Sequence, residues 1–329
     1  YDFYGDKRVV EAHYPALTRL ARFLEDSARN HLYETDLGDH ESLGDKSFAL
    51  TASCFYYLDI RLMAEFAGIL GKKEEQSRYA QLADTIGEAV VQRFLDPRTG
   101  RFDTGTQSAQ VLGLWNNLAA GAAKEAALQT LLRQIGKHKG HLATGIFGTK
   151  MLFDVLRRNN LNSVAVEIAG QPDYPGWGYM IRNGATTLWE TWAASDNVYS
   201  KNHPMFGSVD EWFYRSLLGI NPGAPAFEKV IIHPLPAGKL SFAKGSYNSV
   251  RGPIGSSWRI EGRRLKLNVE IPANTSAEIW VPVRGEGNVT ESGNPVAGVK
   301  DVKLLRREKG YLVYETGSGR YAFESDFKR

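Results

Sequence analysis

The stretch Asn221-Pro222-Gly223-Ala224-Pro225 divides the sequence into two parts with different hydrophobic periods. Before it, apolar residues recur every three or four positions, most clearly over 79–94, which is typical of amphipathic helices. After it, apolar and polar residues alternate, as over 265–271 and 277–281, which indicates strands with one buried face. The switch predicts a helical domain over 1–222 and an antiparallel β-sandwich over 223–329.

The first part of the sequence predicts a series of helical hairpins. Dense apolar residues predict a helix over 46–70 that is buried on most sides. Pro15 lies early in the first helical pattern, so we expect that helix to begin near His13. Short connections between helices favour antiparallel neighbours. Further helical patterns occur at 107–118, 120–136, 149–158, 161–169 and 208–218.

The composition restricts the classes of function. The chain has 329 residues, is 43% hydrophobic and carries a formal net charge of +3, which is ordinary for a globular protein. It has no run of five or more basic residues, so we expect no nucleic-acid binding. It has no apolar stretch of membrane length, so we expect a soluble chain without membrane insertion. Cys54 is the only cysteine and is interpreted as a buried structural thiol. His40 has no second histidine at ligand spacing, so no zinc site is predicted. We expect no metal and no cofactor.

Four of the seven tryptophans lie between positions 177 and 212. Within this segment, Trp189-Glu190-Thr191-Trp192 places one carboxylate between two indoles. Flat indole faces suit the faces of a sugar ring, and a carboxylate there can act as base, acid or nucleophile in glycosidic cleavage. The alternative is that both tryptophans pack in the core and Glu190 is structural. The many glycine and proline residues around it favour a shaped loop and therefore a site.

Three other short segments contain candidate site residues. Asp39, His40 and Glu41 lie in a polar connection, where they could hold sugar hydroxyls or simply solvate the loop. His203 follows the tryptophan segment and could bind a hydroxyl, orient Glu190 or be an ordinary loop histidine. The segment 141–149, which contains Phe147, predicts a loop entering a helix whose N-terminus could face ligand oxygens.

Taken in order, these motifs resemble the bacterial α-L-rhamnosidases of glycoside hydrolase family 78. The resemblance rests on 177–180, 183–192, 202–203 and 211–214. It extends upstream to 141–149 and to the Leu37-Gly38-Asp39 loop, and downstream to 227–234, which looks like the family's junction into its C-terminal sandwich. It implies the late part of an (α/α)6 barrel, an incomplete helical toroid, followed by an antiparallel β-sandwich.

The resemblance also implies an activity, the removal of terminal α-L-rhamnose by an inverting mechanism. Glu190 matches the family's catalytic base, which activates a water molecule on the far face of the ring. Asp39 matches an acidic residue that contacts sugar hydroxyls. The implied substrate-binding residues are Asp39, His40, Glu41, Phe147, Trp177, Trp189, Trp192 and His203, with the three tryptophans as walls of the pocket.

The sequence departs from the family pattern in two places. His40 stands where the family commonly carries tryptophan. The family's general acid lies in an acidic Arg-Leu-Gly-Trp motif, which these 329 residues do not contain. We therefore expect a C-terminal fragment that is inactive without the N-terminal remainder of its parent chain. No targeting segment is recognised at the first residues, so the sequence predicts no compartment.

Two other functions remain open at this point. One is a non-catalytic carbohydrate-binding relic that keeps the tryptophan walls. The other is a different (α/α)-barrel glycosidase or lyase, such as an unsaturated-glucuronyl hydrolase. Such enzymes would favour basic residues for a uronic carboxylate, and Arg182 is the only arginine in the tryptophan segment. For Glu190 itself we expect a donor that keeps it ionised, with His203 as the candidate.

Overall fold

The computed structural model describes residues 1–34, 38–194, 200–285 and 287–327. Leu37, part of the Leu37-Gly38-Asp39 motif, lies outside the described residues. The chain divides into two compact units, one formed by Lys7–Val209 and the other by Tyr1–Asp6 together with Asp210–Arg329.

The unit Lys7–Val209 is built from helices, as the hydrophobic period predicts. Helix α2 packs against α1 and α3, and α4 packs against α5 and α6, so that neighbouring helices form the layers of the unit. The helices are α1 (Arg8–Ser27), α2 (Phe48–Ile69), α3 (Lys73–Phe94), α4 (Gln107–Trp115), α5 (Gly121–Lys137), α6 (Ile146–Arg158), α7 (Asn162–Ala169) and α8 (Trp177–Arg182), followed by a 3₁₀ turn (Met205–Ser208).

The interior of the helical unit is apolar. Leu50, Ile60 and Ile86 on α2 and α3 are fully buried, as is the thiol of Cys54. Burial raises the pKa of that thiol well above its usual value, which agrees with an unreactive structural cysteine.

Three local features of the helical unit differ from the sequence-based predictions. Helix α1 begins at Arg8 rather than near His13 and continues through Pro15, whose ring faces solvent, because Val10, Tyr14 and Ala21 anchor the opposite face in the core. A small ladder, β1 (Leu95–Asp96) with β2 (Arg101–Phe102), lies between α3 and α4. The segment expected to be a shaped loop contains the short helix α8.

The unit that contains Asp210–Arg329 is a β-sandwich, as the alternating pattern predicts. Its described strands form two sheets, of orders β10-β9-β13-β7-β6-β5 and β11-β12-β8-β4-β3. The pairings are antiparallel except for that of β4 with β8, where Val230 lies opposite Ala277 in parallel register. The strands are β3 (Ile220–Pro222), β4 (Lys229–Ile232), β5 (Phe242–Ser249), β6 (Gly252–Glu261), β7 (Arg264–Ile271), β8 (Ser276–Pro282), β9 (Val289–Glu291), β10 (Asn294–Pro295), β11 (Val302–Glu308), β12 (Tyr311–Thr316) and β13 (Gly319–Asp326).

The core of the sandwich lies between its two sheets. Strand β7 shows the pattern directly, because Leu265, Leu267, Val269 and Ile271 are buried and the residues between them are not. Trp258 from β6 is fully buried among them. Short helical segments complete the described elements: α9 (Val209–Trp212), a π-helical turn (Phe213–Leu217) and 3₁₀ turns (Pro225–Phe227, Val296–Gly298).

Within the described ranges, no helix combines the length and the apolar character that crossing a membrane requires.

Candidate functional site

Glu190 lies in the connection after α8, on a loop closed by backbone hydrogen bonds. The Glu190 amide donates to the carbonyl of Ser200 at 3.0 Å, and the His203 amide donates to the carbonyl of Leu188 at 2.9 Å. The Thr187 hydroxyl donates to the carbonyl of Lys201. These bonds tie the two ends of the loop together, and they hold a carboxylate whose side chain is only 16% exposed.

The imidazole of His40 lies beside this carboxylate. Its Nε2 atom is 3.5 Å from Oε1 of Glu190 and 3.7 Å from Oε1 of Glu41. The His40 side chain is 50% exposed and that of Glu41 is 28% exposed, so the imidazole lies on the solvent side of Glu190. Glu41 has φ of +62°, a conformation that a non-glycine residue rarely adopts and that occurs preferentially at functional sites. The structure therefore brings three of the predicted site residues together.

Asp39 is buried and its carboxylate is bound by donors of the protein itself, and its contact with a sugar stays a prediction. It is 2% exposed, and its carboxylate accepts hydrogen bonds from the Ser108 hydroxyl at 2.5 Å and from the amides of Gly145, Phe147 and Gly148 at 2.7, 3.0 and 3.2 Å. Gly145 is the N-cap position of α6 and has no side chain of its own to cap the helix. Asp39 therefore caps α6 from a distant loop, and protein donors occupy both of its oxygens.

Phe147 lies in the first turn of α6, as the loop-to-helix pattern predicts. Its ring is partly buried and packs edge-to-face on Phe55, with ring centroids 5.0 Å apart. Because its amide donates to Asp39, its backbone position is fixed by the same cap. Contact of Phe147 with a sugar stays a prediction.

The tryptophans of the segment divide by burial. Trp192 is 1% exposed, and its ring centroid lies 3.9 Å from that of Phe206 and 5.3 Å from that of Trp177. Its indole N–H donates to the carbonyl of Thr144 at 3.2 Å. Trp192 is therefore packed inside the helical unit, and its role as a wall of the sugar pocket stays a prediction. Trp189 is 6% exposed, whereas Trp177 is only partly buried and donates to the carbonyl of Phe206 at 3.1 Å.

Two other predicted residues lie in the same segment. The Nδ1 atom of His203 is buried and has no hydrogen-bond partner within the described parts of the chain. The imidazole that the structure places beside Glu190 is that of His40, whereas the sequence favoured His203 because it follows the motif closely. Arg182 is largely exposed and pairs with Asp173 at 3.0 Å, so its guanidinium already has a carboxylate partner at the surface.

Sequence reasoning did not single out Tyr174 and Tyr179. Their rings are 5.3 Å apart. Burial raises the pKa of the Tyr174 hydroxyl, and Tyr179 and the negative charge of Glu41 raise it further. The signal that could have found them is their position in the glycine- and proline-rich stretch before Trp177. Among the residues that the structure describes, no group of three or more potential ligand side chains is arranged to hold a metal ion.

The helical unit presents a partly buried glutamate among aromatic residues, and a β-sandwich follows it in sequence. This combination is typical of a class of carbohydrate-active enzymes that are built on helical hairpins. Comparison with known families makes this specific. Residues 1–217 match the model of the bacterial α-L-rhamnosidase six-hairpin glycosidase domain, and residues 219–295 match that of the bacterial α-L-rhamnosidase C-terminal domain. The chain belongs to the bacterial α-L-rhamnosidase family.

Individual relatives agree with this assignment. An α-L-rhamnosidase of Formosa agariphila is 32% identical over 296 residues, which cover 86% of this chain and 32% of the relative. The structure of α-L-rhamnosidase from Dictyoglumus thermophilum superposes with a TM-score of 0.92 at 34% identity, covering 99% of this chain and 38% of that one. The crystal structure of Streptomyces avermitilis α-L-rhamnosidase complexed with L-rhamnose has a TM-score of 0.91 at 31% identity. The match covers 98% of this chain and 31% of that one. The chain thus spans about a third of the length of these relatives.

The comparisons confirm the family resemblance and the fold class inferred from the sequence. The boundary between residues 222 and 223, the roles of the site residues and the position of the general acid stay predictions.

Proposed function

We propose that this chain carries the catalytic base of an enzyme that removes terminal α-L-rhamnose from oligosaccharides or glycosides with inversion of configuration. The observation that carries the proposal is the carboxylate of Glu190, which is 16% exposed, lies on a loop between tryptophans and has an imidazole 3.5 Å away. Membership of the family supports it, as does the L-rhamnose complex of the Streptomyces avermitilis relative.

In this mechanism, Glu190 takes a proton from a water molecule. The water oxygen bonds to the anomeric carbon from the face opposite the leaving group, and the bond between that carbon and the glycosidic oxygen breaks. A general acid protonates the departing oxygen. Inverting enzymes hold their two carboxyl groups about 6.5–9.5 Å apart to leave room for the water. We assign the general acid to a residue outside this chain, in the N-terminal remainder of the parent protein.

We assign the sugar contacts to side chains whose surfaces are not fully used inside the protein. Trp177 is partly buried and keeps part of its indole free, so it is the best candidate for stacking on the ring. His203 has a buried nitrogen without a partner among the described residues, and a sugar hydroxyl would satisfy it. Asp39 and Trp192 are assigned supporting roles, because protein atoms already occupy their polar groups.

The test uses the complete gene product and an aryl α-L-rhamnoside. Glu190→Gln keeps the size of the side chain but removes the basic oxygen, so kcat should fall by about 10²–10⁴-fold while KM changes little. The matched control is Glu167→Gln, an exposed glutamate on α7 with no assigned role, which should leave both constants unchanged. Proton NMR of the first product should show β-L-rhamnose before mutarotation.

Each alternative gives a different result in this test. First appearance of the α-anomer would contradict inversion, and near wild-type kcat in Glu190→Gln would remove Glu190 from the mechanism. Binding of rhamnose without turnover by the intact protein would favour the carbohydrate-binding relic. Turnover of an unsaturated glucuronide in place of the rhamnoside would favour the other (α/α)-barrel enzymes, a reading that the pairing of Arg182 with Asp173 already disfavours.

A further inference from the structure

The imidazole of His40 occupies the space between two carboxylates. The same atom, Nε2, is 3.5 Å from Oε1 of Glu190 and 3.7 Å from Oε1 of Glu41. Both distances exceed the usual length of a hydrogen bond of this kind, about 2.7–2.9 Å. The nitrogen therefore lies close to both carboxylates, and a small movement of either side chain would bring it within hydrogen-bond distance of one of them.

The backbone beneath this imidazole is held rigidly. The carbonyl of His40 accepts a hydrogen bond from the amide of Ile146 at 2.8 Å, and the preceding residue, Asp39, caps the same helix. On the other side, the amide of Ser42 donates to the carbonyl of Asp39 at 3.1 Å, which closes a tight turn around His40 and Glu41. Because the main chain is fixed before and after His40, the reach of its ring is set by the N-terminus of α6.

Of the three side chains, that of Glu190 depends most on a hydrogen-bond donor from a neighbouring residue. It is the least exposed of the three groups, at 16%, and a carboxylate with so little contact with water needs a hydrogen-bond donor from the protein. Its backbone amide is already used in the bond to Ser200. Within the described ranges, the imidazole nitrogen of His40 lies within 4 Å of the Glu190 carboxylate oxygen.

We propose that His40 is a positioning residue for Glu190, holding the carboxylate by its Nε2 atom so that the basic oxygen faces the water that attacks the sugar. The inference rests on the proposed function. It changes the role predicted for His40 from substrate contact to orientation of the base. Hydrogen bonds at catalytic groups are often long in unliganded enzymes and shorten when substrate binds, which is the behaviour expected of this contact.

The test compares two substitutions in the complete gene product. His40→Leu removes the nitrogen, and kcat should fall by about 10–100-fold with KM within about threefold, because the base is misplaced while the sugar contacts remain. His40→Gln keeps a neutral N–H donor at similar reach and should recover most of the lost kcat. The exposed-glutamate variant Glu167→Gln again serves as the unaffected control.

A double-mutant cycle separates positioning from direct substrate contact. If His40 acts through Glu190, then His40→Leu should cost almost nothing further in the Glu190→Gln background, so the two effects are strongly non-additive. A raised KM with unchanged kcat in His40→Leu, or additive losses in the double variant, would overturn the proposal. Unchanged kinetics in His40→Leu would do the same.

A structural measurement keeps this inference distinguishable from the proposed function. A crystal structure of the His40→Leu protein should show the Glu190 carboxylate rotated away from its present position, and the His40→Gln structure should show it retained. If the wild-type protein hydrolyses no rhamnoside, the proposed function fails. The crystal structures then decide the positioning role alone, and an unmoved Glu190 carboxylate in His40→Leu overturns it.

Discussion

Removal of the Asp39 carboxylate tests the assignment of this residue as a helix cap. In Asp39→Ala, four donors lose their acceptor: the Ser108 hydroxyl and the amides of Gly145, Phe147 and Gly148. Hydrogen bonds to a charged group contribute about 1.5–3 kcal/mol each, but the variant also relieves the cost of burying the charge. Water entering the space would satisfy some of the amides. We therefore expect a net loss of about 3–5 kcal/mol, because each buried donor left without an acceptor costs about 1–3 kcal/mol.

Two milder variants should produce a graded series. Asp39→Asn keeps one acceptor oxygen but turns an amino group toward backbone donors, so its cost should lie below that of alanine, at about 2–3 kcal/mol. Ser108→Ala removes only one of the four bonds and should cost about 1–2 kcal/mol. The control is Glu41→Gln, on the same loop but outside the cap, for which we expect a change below about 0.5 kcal/mol.

Amide hydrogen exchange measures this effect where it occurs. A loss of 3–5 kcal/mol corresponds to exchange about 10²–10⁴-fold faster at residues 145–148, provided that local opening controls the rate. The same variants should be titrated with L-rhamnose in the complete gene product. Unchanged exchange in Asp39→Ala together with abolished rhamnose binding would refute the cap and restore the direct sugar contact.

Four further variants test the packing of the helical unit. Burial alone would raise the pKa of the Asp154 carboxyl, but the neighbouring arginines outweigh it and hold the pKa below its usual value. The resulting stability is fully present well above pH 4 and is lost as the pH falls through the lowered pKa, so in urea unfolding Asp154→Asn should cost about 1–2 kcal/mol at pH 7 and less at pH 3. In Gly145→Ala the added Cβ would lie 1.9 Å from the His40 carbonyl oxygen, so the midpoint temperature of thermal unfolding should fall. Gly136 has open space around it, so Gly136→Ala should not lower that temperature. Trp192→Ala should cost about 3–5 kcal/mol in urea unfolding, and retained stability would contradict its place in the core. The Cys54 thiol should react with a thiol reagent only after the chain unfolds in denaturant.

The elements predicted well from sequence are those with a strong hydrophobic period. Strand β7 alternates over its full length, and the buried face of α3 recurs at helical spacing, so each element identifies its own core side. The ladder of β1 and β2 was missed because two-residue strands carry no period. The predicted start of helix α1 near His13 is too late, because Pro15 lies on the exposed face while the buried residues Val10 and Tyr14 already belong to the helix.

The site residues were found by motif, but their roles depend on contacts between distant loops. Asp39 bonds to amides more than one hundred positions away, and nothing in the local sequence distinguishes a cap for another helix from a sugar ligand. Trp192 and Trp177 carry the same side chain in the same segment, yet only packing decides which of them is buried. Closeness in sequence predicts His203 as the partner of Glu190, whereas the structure places His40 beside it.

The first turn of α6 explains why these loops meet. The amide of Ile146 holds the carbonyl of His40, and the amides around it hold Asp39, so the loop with the imidazole is fixed on one side of the turn. The carbonyl of Thr144, directly before the turn, accepts the indole N–H of Trp192, so the loop with the carboxylate is fixed on the other side. The separation of His40 and Glu190 is therefore set by one short segment. The orientation of the Glu190 carboxylate therefore depends on buried hydrogen bonds that do not contact the sugar. Substitutions that remove these hydrogen bonds should change the orientation of the base before they change the affinity for the substrate.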